Sequence, residues 1–217
     1  MRGLIEKDIR LTLIRKQTLF IFLAMALVMG ISMDGTFVTT YLTMLAMIAA
    51  IGTISYDEFD NGFAFLMTLP FGRKTYVKEK YLFSLIMTVA AWCFGAVVNI
   101  AITISRHGGA GLANDLIMAT AAIPSIYMVV GIIIPLQLKY GSEKSRLVLF
   151  GIFGICAVLI YGVKTLPIDV VKPLVGLFNT LQGLPGYSIL LALVIASIIV
   201  TLVSYMISAR IMEKKEF

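Results

Sequence analysis

Six long apolar stretches constrain this chain more than any other feature. They fall near 17–33, 37–55, 81–104, 114–136, 147–164 and 186–208, and none carries Asp, Glu, Lys, Arg or His near its middle. Each approaches the roughly 17–25 apolar residues that a helix needs to cross a bilayer. With no water to pair backbone groups, such a run must close its own hydrogen bonds as a helix. The 217-residue chain is 59% apolar and only 14% charged, against about 25% charged in a soluble domain. A water-soluble fold of this size could not hide that much apolar surface. The sequence predicts an all-α membrane protein with six transmembrane helices. The segment from Leu166 to Pro185 is also apolar but holds Pro167, Asp169, Lys172 and Pro173. It predicts short outer helices between spans five and six rather than a seventh span.

Charge placement orients the chain. Fifteen of the eighteen Lys and Arg residues lie in the N-terminal arm, the 56–80 loop, the 137–146 loop and the C-terminus; only Arg106, Lys164 and Lys172 lie on the other side. Basic loops stay cytoplasmic, which predicts that both termini face the cytoplasm. These charges are ordinary membrane flanks and imply no nucleic acid. In "MRGLIEKDIRLTLIRK", Leu4, Ile5, Ile9 and Leu13 share a broad helical face, as in an amphipathic helix lying on the inner surface. "GIS" at 30–32 resembles a signal cleavage site, but cleavage there would leave five spans in conflict with the charge rule.

The spans lack the intramembrane ionisable group that ion-coupled transporters usually keep. There is no GxxxxGK[ST] phosphate loop, no HExxH and no GxSxG. His107 is alone in an outer loop, and Cys93 and Cys156 lie in separate spans, so neither a metal spacing nor a disulfide framework exists. No catalytic, cofactor-binding or metal-ligating residue is expected in the chain. Asn99, with Thr88 and Thr43, is either a polar contact between helices or a lining residue of a translocation path. Pro124 and Pro135 predict a kink or a break in the fourth span.

One charged island interrupts the apolar pattern. In "SYDEFDNGFAFLMTLPFGRKTYVKEKYL" (55–82), Phe59, Phe63, Leu66 and Met67 fall at i, i+4, i+7 and i+8, one face of a short helix. Asp57, Glu58 and Asp60 sit at its start, where acids suit the helix dipole. Pro70 and Gly72 end it. Arg73, Lys74, Lys78 and Lys80 then anchor the next span at the anionic inner leaflet. The stripe either rests on membrane lipid or docks a soluble partner.

The order of an acid, Gly62, Leu69-Pro70, Arg73-Lys74 and "KEKY" resembles the first cytoplasmic loop of type 2 ATP-binding-cassette (ABC) exporter permeases. The likeness extends over the whole chain, including the second inner loop "QLKYGSEKSR". Within that class the small size is similar to bacterial permeases that export amphipathic peptides such as phenol-soluble modulins, or that give immunity to bacteriocins. The resemblance implies a single permease domain over 1–217, in a bacterial cell membrane, with no nucleotide-binding domain of its own. It implies that Glu58, Phe59, Gly62, Phe63, Leu66, Met67, Leu69, Pro70 and Arg73 form a coupling helix seated on a separate ATPase. Lys139, Tyr140 and Glu143 would make a second contact, and the N-terminal helix would be the connecting helix. It further implies two ATPase copies that hold the ATP and Mg²⁺, and a second permease chain, identical or related, with an amphipathic peptide passing between the two. A stand-alone ion-coupled transporter is the alternative. An intramembrane lipid enzyme would need paired acids that this sequence does not space correctly.

Overall fold

The computed structural model describes residues 1–14, 16–59, 62–109, 111–165 and 186–215. Among these the chain is all helix, in seven elements: α1 (Arg2–Ile14), α2 (Lys16–Ser32), α3 (Gly35–Glu58), α4 (Gly62–Met67), α5 (Arg73–His107), α6 (Leu112–Thr165) and α7 (Gly186–Lys214). Helices α3, α5, α6 and α7 are long and apolar enough to cross a membrane. Helix α2 has 17 residues, with its apolar centre at Phe20–Gly30. At 1.5 Å per residue it is about 26 Å long, slightly under the roughly 30 Å hydrocarbon thickness. The expected outer helices at 166–185 lie outside the described residues.

The fourth and fifth expected spans are one run, α6, broken inside. The break is not at the prolines. Helical geometry continues through Pro124 and Pro135 and fails at Gly141, with φ 81° and ψ 169°. That region of backbone space is essentially reserved for glycine. A neighbouring helix compensates Pro135. Proline has no N–H to give to the carbonyl four residues back, which is Gly131, and the Ser204 hydroxyl of α7 donates to that oxygen instead, at 2.5 Å. Gly131 is itself the gap that admits α7, since a Cβ there would meet Val200 Cγ1 at 2.9 Å.

Helices α3 and α5 run antiparallel and pack closely because small residues face each other. A Cβ on Gly95 would meet the Thr39 Cα at 2.8 Å, and one on Gly35 would reach the Asn99 Cα at 2.7 Å. Such close approach is how helices associate where lipid removes the usual hydrophobic drive. The core joins α3, α4, α5, the first half of α6 and α7, around Ile54, Phe63, Tyr76, Val130, Leu138 and Met212. The outer faces of α5, α6 and α7 expose Val97, Phe150, Phe153, Leu202 and Met206, as expected where the surroundings are acyl chains.

At the end opposite α4, Arg106 donates to the carbonyls of Gly30 and Met33, at 2.9 and 3.2 Å. Gly30 lies in the last turn of α2 and Met33 just beyond its end, where a cation satisfies carbonyls that have no partner within the helix.

Gly95→Leu should force α3 and α5 apart and cost about 1–3 kcal/mol of stability. Gly52→Ala, where a Cβ meets nothing within 4 Å, should not. Thermal midpoints of the two purified variants check this.

Candidate functional site

The charged island folds differently from the continuous stripe its spacing suggests. Helix α3 continues through Glu58, and Phe59 caps it with extended backbone. Asp57 and Glu58 therefore end a long span instead of starting a short helix; Asp60 lies outside the described residues. Helix α4 begins at Gly62, whose missing side chain lets it sit against the Asp57 carbonyl. The stripe is split. Phe63 and Leu66 are 4% and 7% exposed, and the Phe63 ring meets Tyr76 edge-on at 5.8 Å. Both are part of the protein's own core. Phe59 and Phe65 are 73% and 68% exposed, with Leu69 and Pro70 also exposed and Met67 half-buried. The large apolar side chains exposed here are thus Phe59, Phe65 and Leu69. Phe65 lies outside the i, i+4, i+7 series, so the sequence pattern passes it over.

Glu58 ties this loop to the second one. Its carboxylate accepts the Ser142 N–H at 2.6 Å. Ser142 opens the helix that follows the Gly141 break, where free N–H groups and the helix dipole favour an anion. A Cβ on Gly141 would overlap Glu58 Oε1; position 141 thus needs glycine for space as well as for its dihedrals. Exposed Lys139, Tyr140 and Glu143 flank the joint, with Lys139 Nζ 4.9 Å from the Tyr140 ring centre.

The C-terminal residues lock the same end. Arg73 donates to the carbonyls of Met212 and Glu213, at 3.3 and 2.6 Å. Lys74 pairs with Glu213 at 2.9 Å. Lys215 donates to Leu138 O at 3.1 Å, and its Nζ lies 4.7 Å from the Phe63 ring centre.

Beneath the loop lies a buried ion cluster that sequence reasoning missed. Lys80, expected at the lipid surface beside Lys74 and Lys78, is 1% exposed. Its ammonium bonds Asp8 Oδ2 of α1, Asp57 Oδ2 of α3 at 2.7 Å and Thr53 Oγ1 at 3.0 Å. Lys7 pairs with Asp57 Oδ1, and the Tyr76 hydroxyl donates to Asp57 Oδ2 at 2.9 Å. Helix α1 therefore docks through a polar stripe. Leu4, Asp8 and Thr12, at i, i+4 and i+8, are its buried residues, while Ile9, Leu13 and Ile14 are exposed. Asp8 at one turn's spacing from Leu4 and Thr12 was the available signal. It went unread because a charge on the first helix is ordinarily a solvated one.

The residues considered for a path do not converge on open space. Thr43, Thr88 and Asn99 are buried, and Asn99 packs on Gly35. Thr43 bonds its own helix at Thr39 O, 2.6 Å away. Its Oδ1 accepts from Thr103 of its own helix, at 3.3 Å, and its Nδ2 has no hydrogen-bond partner among the described residues. A half-open cleft of about 590 Å³ lies elsewhere, between α1, α2, α3 and the helix after Gly141. Its walls include Leu11, Phe22 and Ile48 on the apolar side and Ser142, Glu143 and Arg146 on the polar side.

Residues 3–213 match the family model described as ABC-2 family transporter protein. No curated protein and no solved structure matches the chain.

Lys80→Met should leave Asp8 and Asp57 buried with too few donors. Breaking a buried pair in this way typically costs about 3–5 kcal/mol. Lys74→Met removes only a surface pair and should leave the thermal midpoint unchanged. Comparing the midpoints of the two variants with wild type tests whether the cluster holds the bundle's end together.

Proposed function

The chain belongs to the ABC-2 family of transporter membrane proteins, and from that premise we propose that it is the permease subunit of an ATP-driven exporter. The reading is of a multi-pass bacterial plasma-membrane protein with six spans and both termini in the cytoplasm. Helix α2 and the two halves of α6 supply the spans beyond α3, α5 and α7. The energy comes from a separate ATPase, in two copies, which holds the ATP and Mg²⁺. Two permease chains, identical or related, frame the path.

The observation that carries this reading is the joint presentation of two loops. Phe63 and Leu66 anchor α4 in the core, so that Phe59 and Phe65 point outward from a rigid seat. Glu58 holds the turn at Gly141 beside them. An exposed aromatic pair on a fixed base, flanked by Tyr140, Lys139 and Glu143, suits the groove of a soluble partner, where buried aromatics often dominate affinity. A loop that only rests on lipid has no need of a hydrogen bond to the second loop.

An amphipathic peptide is the proposed cargo. That cargo rests on the likeness of this small chain to peptide-exporting permeases; the cleft, lined by Phe59 and Glu143, belongs to the docking face instead.

Phe65→Asp should leave the core intact, because Phe65 lies outside it, and should abolish recovery of the ATPase with the permease and transport together. Phe63→Asp should instead lower the amount of folded permease, since it removes a buried ring from the core and its contact with Tyr76. Co-purification from membranes holding both proteins reads both outcomes. Equal ATPase recovery with wild type and Phe65→Asp would remove α4 as the docking element. The purified permease alone should show no Mg²⁺-dependent ATP hydrolysis; robust turnover by the isolated chain would contradict the division of labour.

A further inference from the structure

The ion cluster is one hydrogen short. Its charged members among the described residues are Lys7 and Asp8 on α1, Asp57 on α3, and Glu79 and Lys80 on α5. Fully ionised, they carry two positive and three negative charges. Glu79 is 0% exposed, and neither of its carboxyl oxygens has a hydrogen-bond partner.

No neighbour can supply the missing donor. Lys80 Nζ stands 3.8 Å from Glu79 Oε2, but an ammonium has three hydrogens, and these go to Asp8, Asp57 and Thr53. Tyr76 gives its hydrogen to Asp57. Lys7 directs its ammonium to Asp57 Oδ1 and, at 3.1 Å, to Asp8 Oδ1. Another acid, Asp8, meets the same Lys80 ammonium. Asp8 Oδ1 is itself buried without a hydrogen-bond partner, although Lys7 Nζ lies 3.1 Å away. Asp8 thus has two ammonium groups at hand, whereas Glu79 is buried with none of the described hydrogens directed to it. A metal ion does not resolve this, because no group of acidic, His or Cys side chains among the described residues is arranged to hold one.

We infer that Glu79 is a proton-binding site: its carboxyl is neutral, donates its own hydrogen to Asp8, and makes the docking of α1 depend on that bound proton. With one proton added, the cluster has two positive and two negative charges. The inference stands apart from the transport reading and needs no ATPase partner.

The sign of the pH effect follows. An unfolded Glu loses its proton near pH 4.3, whereas the folded cluster retains it, so folding takes up a proton. Stability then falls as pH rises through the window in which only the folded state holds it. Above that window Glu79 ionises, repels Asp8, and loosens α1.

The test uses the full-length chain purified in detergent. Infrared spectra of wild type near neutral pH should show a protonated-carboxyl C=O band that shifts in D₂O. Glu79→Gln, which can donate to Asp8 through its amide, should lack the band and stay folded. From about pH 5 to about pH 7 the unfolding constant of wild type should rise by up to about tenfold per pH unit relative to Glu79→Gln, and level off above. The exposed-site control Glu6→Gln should keep both band and slope. Asp8→Asn provides a second readout. It removes the negative neighbour, so Glu79 should ionise to balance the two lysines, and the band should vanish although Glu79 is still present. Absence of the band in wild type, its persistence in Glu79→Gln, or its persistence in Asp8→Asn would overturn the assignment. So would sodium stabilising wild type at constant pH and abolishing the slope, since the site would then take a cation.

Discussion

The ammonium of Lys80 is the point on which the α4 end of this bundle depends. It is cut off from water, and its three hydrogens reach Asp8 on α1 and Asp57 and Thr53 on α3. A buried ion pair is weak evidence for net stability, because desolvation offsets most of its attraction. Its effect is on arrangement. With one partner misplaced, a buried charge is left unpaired, so α1, α3 and α5 are confined to the register in which all are met. Helix α4 then seats its Phe63 on Tyr76, whose hydroxyl belongs to the same cluster. The exposed pair Phe59 and Phe65 is therefore held by the ion cluster one layer beneath it.

Away from that end, lipid supplies different rules. The helices cannot rely on water to drive them together, and their contacts use small residues and hydroxyls. Gly35 and Gly95 let α3 and α5 touch, and Gly131 admits α7. Tyr81 contacts Ser204 and Ser208 across the same junction, at 2.5 and 3.0 Å. The Ser204 hydroxyl at Gly131 O shows how a proline is carried without a break. The helix does break at Gly141, where the Glu58 carboxylate occupies the space a side chain would need.

Much of this was legible in the sequence, for physical reasons. Long apolar runs have one solution in a membrane, so the all-helical class and the long candidate spans follow from composition. The family likeness was carried by the order of Gly62, Leu69-Pro70 and Arg73-Lys74, and the family match covers nearly the whole chain. What periodicity could not give was which apolar residues face the protein itself. Phe59 and Phe63 share a helical phase only if one helix contains both, and Phe59 ends α3 instead. The four basic residues after Pro70 look alike in sequence. Lys74 and Lys78 are exposed, whereas Lys80 is buried because two acids distant in the chain, Asp8 and Asp57, meet it. The prolines of α6 invited a kink, but a compensating hydroxyl lay on a helix some seventy residues further along the chain.

The central claim is that the N-terminal helix and the loop helix α4 move as one body through Lys80. Spin labels at exposed positions on each, Glu6→Cys and Ala64→Cys, with Cys93 and Cys156 replaced, measure this directly by pulsed electron resonance. The account predicts a single narrow distance distribution, broadened when Lys80→Met is added to the same labelled, folded chain. A distribution of equal width with and without Lys80 would show that the two helices are held by something else, and would contradict it.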